Sequence, residues 1–181
     1  MSTIASSKPK VGSVIVTGIP GAGKSTVAHA LAARAKLAAH LDIDVIYELI
    51  VGRIVFRKDS PAEDWWQLDL ARTHIAMLAS SFARHGVLPF VDDVIADRAV
   101  LEGYRRSLPS PVRLIVLAPS LDMVLRRDAV RRKQVAARWA YLADPMRTHL
   151  SGLGFWLDTT QQGLESTVST IERHWDQALL A

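Results

Sequence analysis

Residues 13–26 read SVIVTGIPGAGKST, a short β-branched run followed at once by a glycine-rich stretch that ends in lysine and two hydroxyls. The glycines allow backbone angles that other residues avoid, so successive N–H groups can face inward. The spacing Gly18-x-x-x-x-Gly23-Lys24-Ser25 is that of a P-loop, which holds phosphate between a strand and the N-terminus of a helix. This feature constrains the fold most, because it requires a strand before it and a helix after it.

Each residue type in a P-loop has a physical task. The lysine, here Lys24, reaches the β- and γ-phosphates, and the hydroxyl of Ser25 ligates magnesium. We therefore predict a site for a nucleoside triphosphate, with ATP and Mg²⁺ as the cofactors. The residues assigned to the nucleotide in this stretch are Gly18, Gly21, Ala22, Gly23, Lys24, Ser25 and Thr26.

Strand-like and helix-like segments alternate along the whole chain. Strands are predicted at 13–18, 38–44, 87–94, 111–119 and 154–159. Helices are predicted at 24–36, 45–54, 60–83, 97–107, from 120 onward, at 138–150 and at 164–180. Ser60, Pro61 and Glu63 form a capping-box signature for the third helix. The alternation predicts an α/β fold of three layers, with a parallel sheet covered on both faces.

Composition narrows the class of protein. The chain has 181 residues and no cysteine, which indicates one ordinary domain and excludes disulfides and thiolate metal sites. No apolar run approaches the roughly 18 residues of a membrane span, and MSTIASSKPK lacks the apolar region of a secretory signal. We therefore expect a cytoplasmic protein with an N-terminal tail at 1–12 and a single domain at 13–181. The absence of asparagine excludes the Asn-Lys-x-Asp element of GTPases.

Two acidic pairs fall at predicted strand ends, where ligands bind in open α/β sheets. Strand alternation would put Asp42 and Asp44 on one side of the chain. Transfer of a phosphoryl group to an alcohol needs a group that orients the hydroxyl and accepts its proton. Asp44 is the candidate for this role, with Asp93 as the alternative, and Asp42 or Asp92 would hold magnesium together with Ser25. The competing interpretation of both pairs is helix capping or a surface ion pair.

The segment 126–138 holds six arginines and lysines within thirteen positions. Arg127 and Arg131 are four residues apart and share a helical face, and Arg138 follows after a short segment. Arginines brought over the γ-phosphate would stabilise the transition state, and closure would exclude water. We therefore predict a basic lid at about 128–140; a solvated helix face is the alternative.

Together these motifs resemble the small P-loop kinases over nearly the whole chain. The chloramphenicol phosphotransferase-like proteins are the nearest in pattern, with gluconate and shikimate kinases more distant. The DxD at 42–44 looks like the shikimate kinase pattern, and VDDV at 91–94 is similar to the chloramphenicol group. RDAVR at 127–131 is similar to the arginine pair of the gluconate group. The resemblance implies a five-stranded parallel sheet in the order 2-3-1-4-5.

The resemblance also implies roles for individual residues. It assigns Asp44 to the acceptor hydroxyl, Arg127 to packing on adenine and Arg131 to the lid. Asp158 and Thr159, in the loop after the last strand, would lie near adenine.

In the acceptor region, Trp65 or Trp66 could flank an aromatic or sugar-like molecule, while Arg53, Arg57 or Arg72 could anchor an anionic group. The alternative is that one tryptophan packs in the core and the other covers a surface.

The sequence thus predicts a kinase that transfers the γ-phosphoryl group of ATP to an alcohol, with a chloramphenicol-like antibiotic as one specific acceptor. The predicted catalytic set is Lys24, Asp44, Arg131 and Arg138, and the acceptor set is Asp44, Arg53, Trp65 and Asp93. The partners expected are a nucleoside triphosphate and a small hydroxylated acceptor, with no membrane and no nucleic acid. One alternative is a nucleic-acid 5′-hydroxyl kinase, although aromatic residues are not interleaved with the basic cluster. Another is a non-catalytic nucleotide-binding switch, against which the acidic pairs argue.

Overall fold

The sheet has five parallel strands which, numbered along the chain, lie side by side in the order 2-3-1-4-5, and this confirms the predicted order. The computed structural model describes residues 11–57, 59–130 and 134–181, without the side chain of Ala62. The strands are β1 Ser13–Thr17, β2 Ala38–Asp42, β3 Leu88–Asp92, β4 Val112–Leu117 and β5 Phe155–Leu157. The P-loop therefore follows the central strand of the sheet.

Eight α-helices surround this sheet in the described part of the chain. They are α1 Lys24–Arg34, α2 Ile43–Glu48, α3 Trp66–Arg84, α4 Arg98–Ser107, α5 Leu121–Ala129, α6 Ala136–Trp139, α7 Ala143–Leu150 and α8 Leu164–Arg173. Short 3-10 turns lie at Ala62–Trp65, Ala140–Leu142 and Trp175–Ala178. Among the described residues, no helix has both the length and the apolar character needed to cross a bilayer.

The centre of the core is β1, every residue of which is buried. Val14 lies opposite Phe90 of β3 on one side and Arg113 of β4 on the other. A strand with neighbours on both sides and helices on both faces is buried all round, which explains its nearly continuous apolar sequence. The strand thereby fixes the starting point of the glycine-rich loop.

The two faces of the sheet carry different helices. At the end of β3, Asp92 points toward His40, whose ring lies near that of His29 on α1. The next residue, Asp93, contacts Arg72 of α3 and Tyr104 of α4. Side chains alternate along an extended chain, so α1 covers one face while α3 and α4 cover the other. The three-layer prediction is confirmed.

The prediction that the second strand reaches Asp44 is wrong. The strand ends at Asp42, whose side chain accepts a hydrogen bond from the backbone N–H of Asp44 at 2.8 Å and so caps α2. The helix starts directly, at Ile43, because Asp is a strong N-cap residue. Asp44 therefore lies in the first turn of a helix, and the argument from strand alternation does not apply to it.

Two further helix predictions are wrong, one in where the helix starts and one in its continuity. Ser60 accepts a hydrogen bond from the N–H of Arg57 at 2.8 Å and closes a local turn, so it does not cap α3. The helix predicted at 138–150 is broken into α6, a 3-10 turn and α7. Pro145 lies in the first turn of α7; proline lacks an N–H and clashes with the carbonyl four residues earlier, which prevents a continuous helix.

The closing helix ends earlier than predicted, at Arg173. After the 3-10 turn that follows, the N–H of Leu180 donates to the carbonyl of Val112 at the start of β4, at 2.9 Å. Arg113 supports this return, because its guanidinium lies 5.0 Å from the centre of the Trp175 ring. The end of the chain thus packs beside the sheet instead of continuing as a helix.

Candidate functional site

The glycine-rich loop spans from the end of β1 to the start of α1 and has backbone angles that favour glycine. The φ angles of Gly18, Gly21 and Gly23 are 153°, 90° and 96°. Gly23 is the N-cap of α1 in the left-handed conformation. Because this cap has no side chain, the first-turn N–H groups of α1 are left to a ligand or to water, and the helix dipole favours an anion there. Lys24 and Ser25 occupy the first two positions of the helix.

Gly21 packs the loop against the base of the predicted lid. A Cβ atom on Gly21 would lie 2.8 Å from Cγ1 of Val124 on α5 and 3.3 Å from Cβ of Ala136 on α6. Real Cβ atoms essentially never approach another heavy atom that closely. The loop therefore needs glycine here for its backbone angle and also for space.

We expect Gly21→Ala to lower the free energy of unfolding by about 2–5 kcal/mol. The left-handed angle accounts for about 1–2 kcal/mol and crowding of Val124 for about 1–3 kcal/mol. Gly52→Ala is the matched control, because Gly52 has φ 78° but open space around its Cβ position. This substitution should lower the free energy of unfolding only by the cost of the left-handed angle, about 1–2 kcal/mol. Urea unfolding of both variants measures the difference. Equal losses would show that the loop does not pack tightly against α5 and α6.

Two of the predicted metal-site residues meet at the carboxyl edge of the sheet. Asp42 and Asp92 are opposite each other in the parallel register of β2 and β3. Burial raises the pKa of the Asp42 carboxyl above its usual range, and the neighbouring Asp92 raises it further. Asp92 is 1% exposed, and its Oδ2 atom has no hydrogen-bond partner among the described residues. Two neighbouring carboxylates, one of them with a buried oxygen that has no hydrogen-bond partner among the described residues, fit the divalent cation that the sequence analysis predicted.

His40 joins this edge, a contribution that the sequence analysis missed. Its Nε2 lies 3.6 Å from Oδ2 of Asp92, and ligand atoms of His40, Asp42 and Asp92 all lie within 4.8 Å of one another. The sequence held one signal for this contribution: His40 and Asp42 are two residues apart on a strand, and such residues share a face. On α1, His29 lies one turn after Ser25, and its ring centroid is 6.0 Å from that of His40. This face of α1 therefore points toward the same edge.

Asp44 has a different environment from Asp42. It is exposed in the first turn of α2, while Asp42 is half-buried. One carboxylate of the DxD motif therefore caps the helix, as the competing interpretation expected, and the other is accessible from solvent. The two acids are not equivalent in this structure.

Asp93 and Arg72 pair with each other in the interior. Asp93 is 2% exposed, and its Oδ2 accepts hydrogen bonds from Nε of Arg72 at 2.9 Å and from the Tyr104 hydroxyl at 3.0 Å. Burial raises the pKa of Tyr104 well above its usual range, and the Asp93 charge raises it further. Both residues were predicted to be available to an acceptor, but alternation turns Asp93 away from Asp92 and into the contact of α3 with α4.

We expect Arg72→Ala to lower the free energy of unfolding by about 3–5 kcal/mol, because it leaves the Asp93 carboxylate buried and unpaired. Arg98→Ala is the control, since Arg98 makes an exposed ion pair with Glu102 at 3.4 Å. An exposed pair of this kind contributes about 0.5 kcal/mol or less. Thermal and urea unfolding of the two variants measure the contrast. A small loss in Arg72→Ala would show that this pair does not organise the sheet edge.

Arg127 links the P-loop to the loop after β5. Its Nη2 donates to the Thr159 carbonyl at 2.8 Å, and its Nη1 lies 3.4 Å from both the Thr159 hydroxyl and the Ala22 carbonyl. Asp158 accepts hydrogen bonds from the backbone N–H and hydroxyl of Thr160, which lower the pKa of its carboxyl. The structure thus brings together Ala22, Arg127 and Thr159, three residues predicted to serve the nucleotide.

The ends of the predicted lid are held close together. Oδ2 of Asp128 accepts a hydrogen bond from the N–H of Ala136 at 2.8 Å, and the side-chain amide of Gln134 donates to the Ala129 carbonyl at 2.9 Å. Arg138 is exposed on α6. Arg131, predicted to be catalytic, lies outside the described residues.

The acceptor region contains an aromatic stack. Trp65 stacks on Phe56, with centroids 4.7 Å apart and planes 17° from parallel, and Phe56 contacts Tyr47. Trp66 is 57% exposed. Trp65 is partly buried against Phe56 and is not part of the main core, so the alternative of a core tryptophan does not describe it. Trp66 lies on the surface, and the acceptor role of Trp65 stays a prediction. Arg53 is exposed, and its Nη2 lies 3.6 Å from Oε1 of Glu48.

Comparison with known proteins gives a family and a set of relatives. The model of the family described as AAA domain matches residues 14–144, most of the chain. An adenylyl-sulfate kinase from Picosynechococcus sp. (strain ATCC 27264 / PCC 7002 / PR-6) is 32% identical over 116 residues, which are 62% of this chain and 61% of the relative. This chain therefore spans 61% of the length of that curated relative. An adenylyl-sulfate kinase from Chloroflexus aurantiacus is 29% identical over 91% of this chain and 94% of the relative.

Solved structures share the fold at low identity. A sugar kinase from Janibacter sp. HTCC2649 has a TM-score of 0.69 and 22% identity over 93% of this chain and 96% of its own. A gluconokinase from Sinorhizobium meliloti 1021 has a TM-score of 0.61 and 20% identity over 93% of this chain and 98% of its own. A shikimate kinase from Bacteroides thetaiotaomicron has a TM-score of 0.64 and 13% identity over 91% of this chain and 98% of its own. These likenesses establish the P-loop kinase fold; the narrower resemblance to chloramphenicol phosphotransferases stays a prediction.

Proposed function

The chain belongs to the AAA domain family, and from that premise we propose that it is an ATP-dependent kinase that phosphorylates an alcohol group of a small molecule. The observation that carries the proposal is the sheet edge where the P-loop, Asp92 and the capped DxD motif meet. A phosphate cradle alone suits any nucleotide-binding protein, whereas an accessible carboxylate next to it suits phosphoryl transfer. The kinase names of two curated relatives support the same class of reaction.

The nucleotide is expected to lie along the loop, with its phosphates at the N-terminus of α1. The backbone N–H groups of Gly21 and of residues 23–26 would bind the phosphate oxygens, with Lys24 on the terminal two phosphates. The N–H of Ala22 donates to the Ile19 carbonyl at 3.0 Å and closes the loop. Arg127 is proposed to pack its flat guanidinium on a purine base, and its hydrogen bond to the Thr159 carbonyl supports this assignment. Arg138 is proposed to approach the γ-phosphate from α6.

A divalent cation is proposed to bind between Ser25 and the carboxylates of Asp42 and Asp92. When bound, magnesium neutralises charge on the β- and γ-oxygens of the triphosphate. The buried, unpartnered oxygen of Asp92 supports this assignment, because such a group is costly unless a cation or donor satisfies it. Asp42 contributes while also capping α2, since a carboxylate has two oxygens.

Asp44 is proposed as the group that accepts the proton of the acceptor hydroxyl. Its position in the first turn of α2 places it beyond the carboxyl end of β2, where the terminal phosphate of a P-loop nucleotide is expected. Asp93 is the weaker candidate, because its Oδ2 is already engaged by Arg72 and Tyr104. A base must reach its proton within hydrogen-bond distance, and a buried acid turned to the other face does not.

The acceptor is proposed to be more apolar than anionic, and a chloramphenicol-like antibiotic is one specific form. Arg72, one of the arginines considered as anchors, is held in the interior by Asp93. Arg53 makes only an exposed contact with Glu48 at 3.6 Å. Trp66, which is largely exposed, offers a large rigid surface with one N–H group. An aromatic alcohol fits these surroundings better than a polycarboxylate.

The proposal is tested by ADP release from ATP and Mg²⁺ in the presence of a panel of hydroxylated compounds. The panel includes chloramphenicol, adenylyl sulfate, gluconate, shikimate and a 5′-hydroxyl oligonucleotide, and Lys24→Ala is the blank. We expect one small alcohol to stimulate ADP release, with a phosphate ester found by mass spectrometry. Stimulation by the oligonucleotide alone, or tight nucleotide binding without transfer to any alcohol, would contradict the proposal.

A further inference from the structure

A histidine and two aspartates form a compact cluster at the ends of β2 and β3. Nε2 of His40 and Oδ2 of Asp92 are 3.6 Å apart, and both are buried atoms without a hydrogen-bond partner in the described part of the chain. Ligand atoms of His40, Asp42 and Asp92 lie within 4.8 Å of one another. We propose that these three residues form a preformed site for a transition-metal ion, which binds without nucleotide and has His40 as a nitrogen ligand.

The distances fit a metal site better than an internal hydrogen bond. A separation of 3.6 Å is too long for a side-chain hydrogen bond, so the His40–Asp92 contact leaves both atoms unsatisfied. Metal bonds to nitrogen and oxygen of about 2.0–2.2 Å place neighbouring ligand atoms of one ion about 3–3.6 Å apart. Small rotations of the Asp42 and Asp92 side chains would complete this geometry.

The ligand types determine which ion is favoured. Magnesium prefers oxygen ligands and is reluctant to lose its water, whereas imidazole nitrogen suits zinc and other late first-row ions. Manganese is the weakest binder of the divalent first-row series and tolerates a mixed set of oxygen and nitrogen ligands. A site with one imidazole and two carboxylates should therefore bind Mn²⁺, Co²⁺ or Zn²⁺ more tightly than Mg²⁺. Rigid placement on two paired strands means that little ordering is needed on binding.

This inference does not depend on phosphoryl transfer. A magnesium ion that arrives with ATP needs only the oxygen ligands assigned above, whereas the site proposed here fills in the free protein. A failure to bind metal without nucleotide therefore leaves the kinase proposal intact. Conversely, an inactive protein could still bind Mn²⁺ at His40.

The test is a titration of the full chain with Mn²⁺ alone. Binding is measured as the loss of the electron paramagnetic resonance signal of free Mn²⁺. We expect binding at one site, with Mg²⁺ displacing Mn²⁺ only in large excess. Electron spin echo modulation of the bound ion should show coupling to the ¹⁴N nucleus of one imidazole. In His40→Gln, which retains a polar side chain of similar reach, the coupling should disappear and the dissociation constant rise at least about tenfold.

His74→Gln is the matched control, because His74 is exposed on α3, which covers the other face of the sheet; it should bind Mn²⁺ like the parent protein. Circular dichroism confirms that each variant is folded. Absence of Mn²⁺ binding in the folded parent protein would overturn the proposal. So would Mn²⁺ binding with no ¹⁴N coupling, or unchanged affinity and coupling in His40→Gln.

Discussion

Asp44→Asn is expected to lower kcat by about a hundredfold to ten-thousandfold with the acceptor that the panel identifies. The amide retains the size and much of the hydrogen bonding of the carboxylate, but it cannot accept the proton of the attacking hydroxyl. The backbone of Asp44 donates to Asp42, and this bond survives the substitution, so α2 should remain capped. The KM for ATP should change little, because Asp44 is proposed to contact the acceptor and not the nucleotide.

Asp122→Asn provides the control for this change. Asp122 is exposed at the second position of α5, as Asp44 is at the second position of α2, but it has no proposed role in the site. Steady-state kinetics should show parent-like turnover for Asp122→Asn. Full turnover in Asp44→Asn with the same acceptor would remove Asp44 from the mechanism, and Asp93→Asn would then be compared next.

Lys24→Ala is expected to lower kcat by about a hundredfold to a thousandfold, the usual cost of removing one donor that stabilises transition-state charge. Lys24 is the first residue of α1, directly after the left-handed Gly23. Its ammonium group is proposed to bridge the β- and γ-phosphates, where charge is redistributed during transfer. The affinity for ATP should also fall, whereas the affinity for ADP should fall less.

Lys36→Ala is the control, since Lys36 is an exposed lysine just beyond the other end of the same helix. Both variants should unfold at the same urea concentration as the parent protein, because neither lysine is buried. Initial rates of ADP release at saturating acceptor give the comparison. Parent-like turnover in Lys24→Ala would mean that the loop does not hold the transferred phosphate.

The sequence predicted best where local chemistry determines the backbone. The strand–loop–helix unit around residues 13–34 followed from glycine spacing, and Ser120 caps α5 as expected. The strand order required the family resemblance, since alternation alone does not determine which strands are neighbours. Asp42 and Asp92 were both candidates for the magnesium site, and the structure places them opposite each other; their metal role stays a prediction.

The sequence predicted least well where tertiary contacts decide the role of a side chain. Asp44 was placed on a strand because strand alternation was preferred to helix capping, which was the competing interpretation. Asp93 was treated as a possible partner of an acceptor, but its neighbours Arg72 and Tyr104 come from helices distant in sequence. His40 was not named among the metal-site residues, although it lies two residues before Asp42 on the same strand.

The most direct test of the central claim is isothermal calorimetry of ATP with the intact protein in the presence of Mg²⁺. If backbone N–H groups at the start of α1 bind the triphosphate, one molecule of ATP should bind per chain, and Lys24→Ala should weaken binding markedly. A titration that shows no heat and no saturable binding for ATP or GTP, with Mg²⁺ or Mn²⁺ supplied, would contradict the account at its foundation.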